Sequence, residues 1–428
     1  MRVVATHALV AVGVLAVTPA AAQTAQVSLD EALRRALAVQ PSMVQAQGSV
    51  RVADANQRAA WGAFLPSLAT SASASRSNVG RIDPDTGQLV APEFVYTLGL
   101  SANLPLFDGF SRLANRRAAV ANTDAASAGL RGQRFQVILA TKQIFYGTAA
   151  SDELVRVATA QLARAQEQLN AATDKLRAGS GTTSDSLRAM VEVGNARMAL
   201  IRAQAANAAT QAALARQIGA RGLVRAVLDG VLPALPDTSV VRALALTESP
   251  TVLESEASAR AAHAGVTAAR SRYWPSLGVT YGASRQGTGS PFSDFDEYSH
   301  SSSWRFGLGW PIFDGFDREA AQVAAGAQRD VADARAADAR REVEAEVIRQ
   351  VALLHAAYQQ IEIASVNVTA ATEDFRVQSE RYRLGVATSL DLTSSQENLT
   401  SAEVALIQSR FDYVIARAEL EALVGREL

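Results

Sequence analysis

The chain has 428 residues, with 41 basic against 42 acidic side chains, four histidines and no cysteine. That balance excludes a nucleic-acid binder, and the missing thiols exclude a disulfide scaffold. Hydrophobic residues reach 48% but aromatics only 6%, so the apolar content is mostly Ala, Val and Leu, which suits thin helix-on-helix packing better than a thick enzyme core.

At the N-terminus Arg2, the apolar stretch Leu9 to Val17 and the Ala20-Ala21-Ala22 site read as a secretory signal over residues 1–22. Removing 22 of the 428 residues leaves a mature chain of 406 beyond the inner membrane. No later run approaches the roughly 18–20 apolar residues of a membrane helix, and no cysteine is present to carry a lipid anchor.

The remainder is duplicated. Pro105-Leu106-Phe107-Asp108-Gly109-Phe110 recurs 206 positions later as Pro311-Ile312-Phe313-Asp314-Gly315-Phe316. Gly179 to Asp185 recurs at the same spacing as Gly385 to Asp391, and Ile218-Gly219 as Val424-Gly425. Gln40-Pro41 and Leu65-Pro66-Ser67-Leu68 recur 209 positions later as Ser249-Pro250 and Trp274-Pro275-Ser276-Leu277, three residues of loop making the difference. We read a first copy over 23–219, a connecting segment over 220–238 and a second copy over 239–428.

Each copy opens with a helix. Ser28-Leu29-Asp30-Glu31 has the form of a capping box, and the helix is expected to run to about Phe64, where Pro66 ends it. Its counterpart is expected from about Ser239 to Tyr273. Two strands follow in each copy, about 67–78 and 93–105, then 276–287 and 302–312. In Phe94, Tyr96, Leu98, Leu100, Ala102 and Leu104 every second residue is apolar, against Thr97, Gly99, Ser101 and Asn103. The segments from Ser276 and Ser303 alternate likewise, while Ser67 to Arg76 alternates weakly. Aromatics at strand ends suit a membrane girdle, although a water-exposed antiparallel sheet alternates similarly.

The third part of each copy is a long helix, expected from about Ser111 to Ala178 and from Arg318 to Leu384, each on the order of 100 Å at 1.5 Å per residue. Val155, Ala158, Leu162, Ala165, Leu169, Ala172 and Leu176 step by three and four, as do Leu392, Ser395, Leu399, Ala402, Leu406, Ser409 and Tyr413 after the second turn. These are coiled-coil seams. The fold class is therefore mainly α with membrane β: long antiparallel coiled-coil helices and four strands per chain. Four strands cannot close a membrane barrel, since open edges in hydrocarbon cost several kcal/mol per unpaired group. Two chains or three must share one of eight or twelve strands.

The chain resembles the TolC family of outer-membrane efflux and secretion channels over its whole mature length. The carrying features are the duplication, the two strand-to-helix exits at Pro105, Asp108 and Gly109 and at Pro311, Asp314 and Gly315, and the two Gly-x5-Asp turns. Leu392-Thr393-Ser394-Ser395-Gln396 follows Asp391 much as the family's Asp-Leu-Leu-x-Ala-Gln does. The resemblance implies a homotrimer with a 12-stranded barrel in the outer membrane and an α-barrel crossing the periplasm. It also implies a periplasmic adaptor (membrane fusion) protein and an inner-membrane RND or ABC transporter as partners, with outer-membrane lipid around the strands. The expected function is the outer-membrane channel of a tripartite small-molecule efflux pump, and type I protein secretion is the alternative. Two residues depart from the pattern: Ala387 stands where a drug-efflux member has arginine, and Ser394 where it has a second aspartate. Any equatorial belt is expected to be slight and to come from residues near Gln23 to Val27 and Ala220 to Thr238.

Asp185 and Asp391 are the candidate periplasmic gate, repeated around a threefold axis, although an acid in the first turn of a helix is also favoured by the helix dipole. Gly179, Thr182, Thr183, Gly385, Thr388 and Ser389 form the candidate adaptor-docking turns. No catalytic residue, metal set or cofactor is expected: His263, His300 and His355 are scattered without partners, and Gly179 to Thr183 lacks the lysine of a phosphate loop. Asp83-Pro84-Asp85-Thr86-Gly87 lacks a calcium loop's glutamate and reads as a turn between strands. Asp294, Asp296 and Glu297 lie in the other inter-strand loop. Two readings from other classes are a trimeric coiled-coil adhesin and a periplasmic hydrolase. The adhesin should carry its strands at the C-terminus, and the hydrolase needs a constellation that is missing.

Overall fold

The structure, a computed structural model, describes residues 25–76, 78, 80–82, 87, 89–90, 94–228, 232–288, 296 and 298–428. The signal segment, the Asp83 to Thr86 stretch, Asp294 and Glu297 lie outside the described residues.

In chain order the elements are β1 (Ala25–Val27), α1 (Leu29–Val39), α2 (Pro41–Gly62), β2 (Ser67–Arg76), the short pair β3 (Arg81–Ile82) and β4 (Leu89–Val90), β5 (Phe94–Phe107), α3 (Ser111–Arg177) and α4 (Thr183–Gln217). The second half runs β6 (Val224–Ala226), α5 (Thr238–Glu248), α6 (Pro250–Arg270), a 3-10 turn at Ser271–Tyr273, β7 (Ser276–Gly287), β8 (Ser299–Gly309), α7 (Asp317–Arg383) and α8 (Ser389–Val424).

The opening helix of each copy is two helices, not one. Pro41 and Pro250 each occupy the first turn of a new helix, where the missing N–H is no loss and the fixed φ is favourable. The preceding Gln40 and Ser249 are extended, with ψ of 125° and 124°, as a residue before proline prefers. Glu31 does not serve mainly as a cap: Arg34 and Arg35 each donate to its carboxylate at 2.5 Å.

The chain forms two compact units, and long helices contribute to both. One comprises residues up to Ala36, Thr141–Leu232 and Ile363–Phe411. Here β1 and β6 pair in parallel, Ala25 opposite Val224 and Val27 opposite Ala226. Val27, Ala32, Phe145, Leu214, Ile218 and Val224 make a small core around this ribbon, at the two segments expected to supply the belt. Along the helices Ala158, Ala165 and Ala172 are buried at a spacing of seven, as are Ala189 with Ala196 and Leu392 with Leu399. Alanine in the seam lets backbones approach closely but removes little area from water per residue.

The other unit comprises Leu37–Ala140, Pro233–Glu362 and Asp412–Leu428. Its antiparallel sheet has the order β2-β5-β7-β8. β5 runs two residues past the expected end, and its register against β7 shifts between Pro105 and Phe107, because proline has no N–H for the ladder. β8 occupies 299–309 rather than 302–312. Beyond it the Trp310 indole donates to the Tyr273 carbonyl at 3.2 Å, and Pro311 cannot extend the pairing. Phe94, Leu100, Trp304, Phe306 and Leu308 are exposed, giving the sheet an apolar face suited to lipid. No helix among the described residues is long and apolar enough to cross a membrane.

Candidate functional site: two capped turns and two strand exits

In the first unit the two Gly-x5-Asp turns come together. α3 ends with Gly179 at φ +73°, and the Ser180 and Gly181 amides both donate to the Lys175 carbonyl, at 2.9 and 3.0 Å. A Cβ on Gly181 would lie 3.0 Å from that of Lys175, so the close return needs glycine. Thr182 then caps α4. Its hydroxyl accepts from the Asp185 amide at 3.2 Å and donates to Asp185 Oδ2 at 2.6 Å. The second turn repeats the device: Gly385 has φ +79°, the Asp391 amide donates to Thr388 Oγ1 at 3.2 Å, and the Thr388 amide and hydroxyl donate to Asp391 Oδ2 at 2.9 and 2.7 Å. Each is a capping box with aspartate in the place of glutamate.

The turns are tied directly, Ser389 Oγ donating to Asp185 Oδ1 at 2.9 Å. The hydrogen bonds from Thr182 and Ser389 hold the Asp185 carboxyl below the ordinary carboxylate range, because they favour the charged form. Thr388 does the same for the exposed Asp391. Beside them the Lys175 ammonium lies 3.8 Å from the Tyr382 ring centroid and donates to the Tyr382 carbonyl. Burial pushes the Tyr382 hydroxyl up. Asp185, Arg188, Glu192, Tyr382, Ser389 and Thr393 line an open groove of about 500 Å³. Farther along, the two hairpins are bridged by Gln168 Nε2 to Thr393 Oγ1 at 3.1 Å, Gln396 Nε2 to the Gln161 carbonyl at 3.4 Å, and Arg164 to Glu403 at 3.2 Å.

In the second unit the strand exits are equally alike. Gly109 and Phe110 have φ of +67° and +71°, Gly315 and Phe316 +70° and +71°. A left-handed phenylalanine is uncommon. What holds the turn is an i,i+4 pair: Arg112 donates from its amide and Nε to Asp108 Oδ2, both at 3.0 Å, and Arg318 pairs with Asp314 at 3.1 Å. Arg112 also lies 5.1 Å from the Phe64 ring centroid and Arg318 5.0 Å from that of Tyr273. The Asp-x3-Arg spacing recurs in both copies and is the sequence signal for these pairs. His263 is not partnerless as expected: its Nε2 is 3.0 Å from Asp333 Oδ1.

Residues 32–220 and 241–426 match the family model of the outer membrane efflux proteins. The chain belongs to that family. It is the one that the paired turns and strand exits resemble, and it sets aside both the adhesin and the periplasmic hydrolase. The outer membrane efflux protein BepC of Brucella suis is 26% identical over 94% of this chain and 87% of its own length. The alkaline protease secretion protein AprF of Pseudomonas aeruginosa is 23% identical over 77% of this chain and 69% of its own. Among solved structures, the outer membrane protein VceC of Vibrio cholerae superposes with a TM-score of 0.79 at 19% identity, covering 94% of this chain and 97% of VceC. The protein is an outer-membrane efflux channel, a member of a family of channels rather than enzymes, with the helical and strand architecture of that family.

Proposed function

We propose that three copies of this efflux channel close one 12-stranded barrel. The resulting conduit receives small molecules from a periplasmic adaptor (membrane fusion) protein and an inner-membrane RND or ABC transporter. The observation that carries the oligomer is the sheet order, which leaves β2 and β8 as edges. In a bilayer their unsatisfied amides and carbonyls would cost several kcal/mol each, and membrane barrels of this kind begin at about eight strands. The paired turns at Gly179 to Asp185 and Gly385 to Asp391 are the surface offered to the adaptor. Asp391, exposed six residues past a turn glycine, and Asp185 beside it are the acidic gate.

Likeness to AprF favours a second reading of the cargo, a secreted protein. A strain lacking the gene separates the two. Raised susceptibility to small toxic compounds, reversed by the parent gene, supports efflux. A lost extracellular protein with unchanged susceptibility supports secretion. In native mass spectrometry of the detergent-extracted protein, a species three times the mass of the mature chain supports the trimer, and a monomer overturns it.

A further inference from the structure

Two stripes of side chains run side by side where the sheet meets the helices. At the β5 exit and the start of α3, Phe110, Leu113 and Arg117 follow one another at steps of three and four, and Thr267, Arg270 and Trp274 do the same at the end of α6 and its 3-10 turn. Gly109 holds the stripes together: it is buried, and a Cβ there would meet the Ser271 carbonyl at 2.3 Å and Trp274 Cβ at 2.9 Å. Between them lies an open pocket of about 330 Å³ that all six residues line.

The pocket adjoins the apolar face of the sheet. Phe110 packs edge-on against Phe107, their ring centroids 5.4 Å apart. Phe107 stands opposite Leu277, and Leu277 opposite Leu308, which is 74% exposed on that face. Phe110 and Trp274 are themselves 54% and 56% exposed, as aromatics are at the edge of a membrane's hydrocarbon. Arg117 lies about 10 Å past Phe110 along the helix, and Arg270 precedes Trp274 by one turn. Both arginines therefore stand on the helical, periplasmic side of the aromatics, at the depth of lipid headgroups.

No carboxylate lines the pocket, and among the described residues neither arginine has a charged partner, whereas Arg112, nearer the sheet, is paired with Asp108. Nor does the turn require them: the shifts relating the copies put Val323 in the place of Arg117 and Trp61 in that of Arg270. Two guanidinium groups without a counter-ion beside an aromatic rim suit a phosphodiester that carries acyl chains. We propose that this pocket binds the phosphate of a phospholipid from the periplasmic leaflet of the outer membrane. Arg117 and Arg270 donate to its oxygens, while Phe110 and Trp274 meet the acyl ends. Each chain thereby fixes the depth of its helix-to-sheet junction in the bilayer.

Native mass spectrometry of the mature protein in detergent, titrated with phosphatidylglycerol, tests this. The parent should retain one lipid per chain at low lipid concentration, and R117Q/R270Q should weaken that binding by about tenfold or more. The control R116Q/R272Q loses the same charge from exposed arginines that do not line the pocket, and it should bind as the parent does. Diacylglycerol, which has the chains without the phosphate, should not compete, nor should millimolar inorganic phosphate. Equal retention by the parent and R117Q/R270Q, or equal loss from both double variants, overturns the site. Displacement by inorganic phosphate alone assigns the pocket to a soluble anion and overturns the lipid, and displacement by diacylglycerol overturns recognition of the phosphate.

Discussion

Ser389 Oγ donates to Asp185 Oδ1 at 2.9 Å, joining two residues 204 positions apart. Both belong to helix starts, so one carboxylate serves the Thr182 cap of α4 and the first residue of α8, and the turns of the two copies cannot move apart without breaking a charge-assisted bond.

This tie should respond to acid. Asp185 has its carboxyl depressed in the folded chain from an ordinary value of 3.8, so the stabilisation is complete above that value and fades as pH falls through the lower, folded one. Amide exchange over residues 183–190, corrected for intrinsic rate, should be flat from pH 7 to about 5 and rise below about 4. Ser389→Ala should raise it already at pH 7, and equal protection in parent and variant would show that the bond does not order the turns.

Thr388 both caps α8 and donates to Asp391. Thr388→Ala should cost about 1 kcal/mol of local helix stability, whereas Thr388→Pro also removes the amide donor. We expect the alanine variant to export nearly normally. The proline variant should lose export while its heat-resistant oligomer persists on gels. Normal efflux from the proline variant would separate this turn from docking.

Asp391→Ala removes one charge per subunit from the proposed gate. Carboxylates about 7 Å apart repel by about 0.6 kcal/mol in water and about 2.4 kcal/mol at an effective dielectric of 20, so assembly should survive. In planar bilayers, cation preference and block by multivalent cations should both weaken. Unchanged selectivity would reduce Asp391 to the helix cap that its bonds to Thr388 already make it.

At the strand exits, the Asp108 and Arg112 side chains are 24% and 15% exposed. Asp108→Ala leaves the guanidinium without its carboxylate and should cost about 1–3 kcal/mol. The temperature at which the oligomer dissociates should fall, and Asp314→Ala should lower it similarly. An unaltered dissociation temperature in both would mean that the left-handed Gly-Phe pairs hold the turns unaided.

The difference between what was legible and what was not follows range. The alternation of Phe94 to Leu104, the seven-residue recurrence of Ala158, Ala165 and Ala172, and the repeated Asp-Gly-Phe exits are local patterns. Backbone geometry converts these directly into strand, seam and turn. The breaks at Pro41 and Pro250 are equally local: the expected helices run through both positions, whereas proline there starts a new helix because it fits the first turn.

The sequence by itself determined the duplication and the order of the long strands and long helices, and it predicts that a further chain is needed to close the sheet. The tertiary structure decided that β5 pairs with β7, that Ser389 reaches Asp185, and that Lys175 stacks on Tyr382. Those contacts join residues about 170 to 210 positions apart. Their geometry is fixed by how whole helices and strands pack, and no periodicity within either segment encodes which distant side chain it will meet.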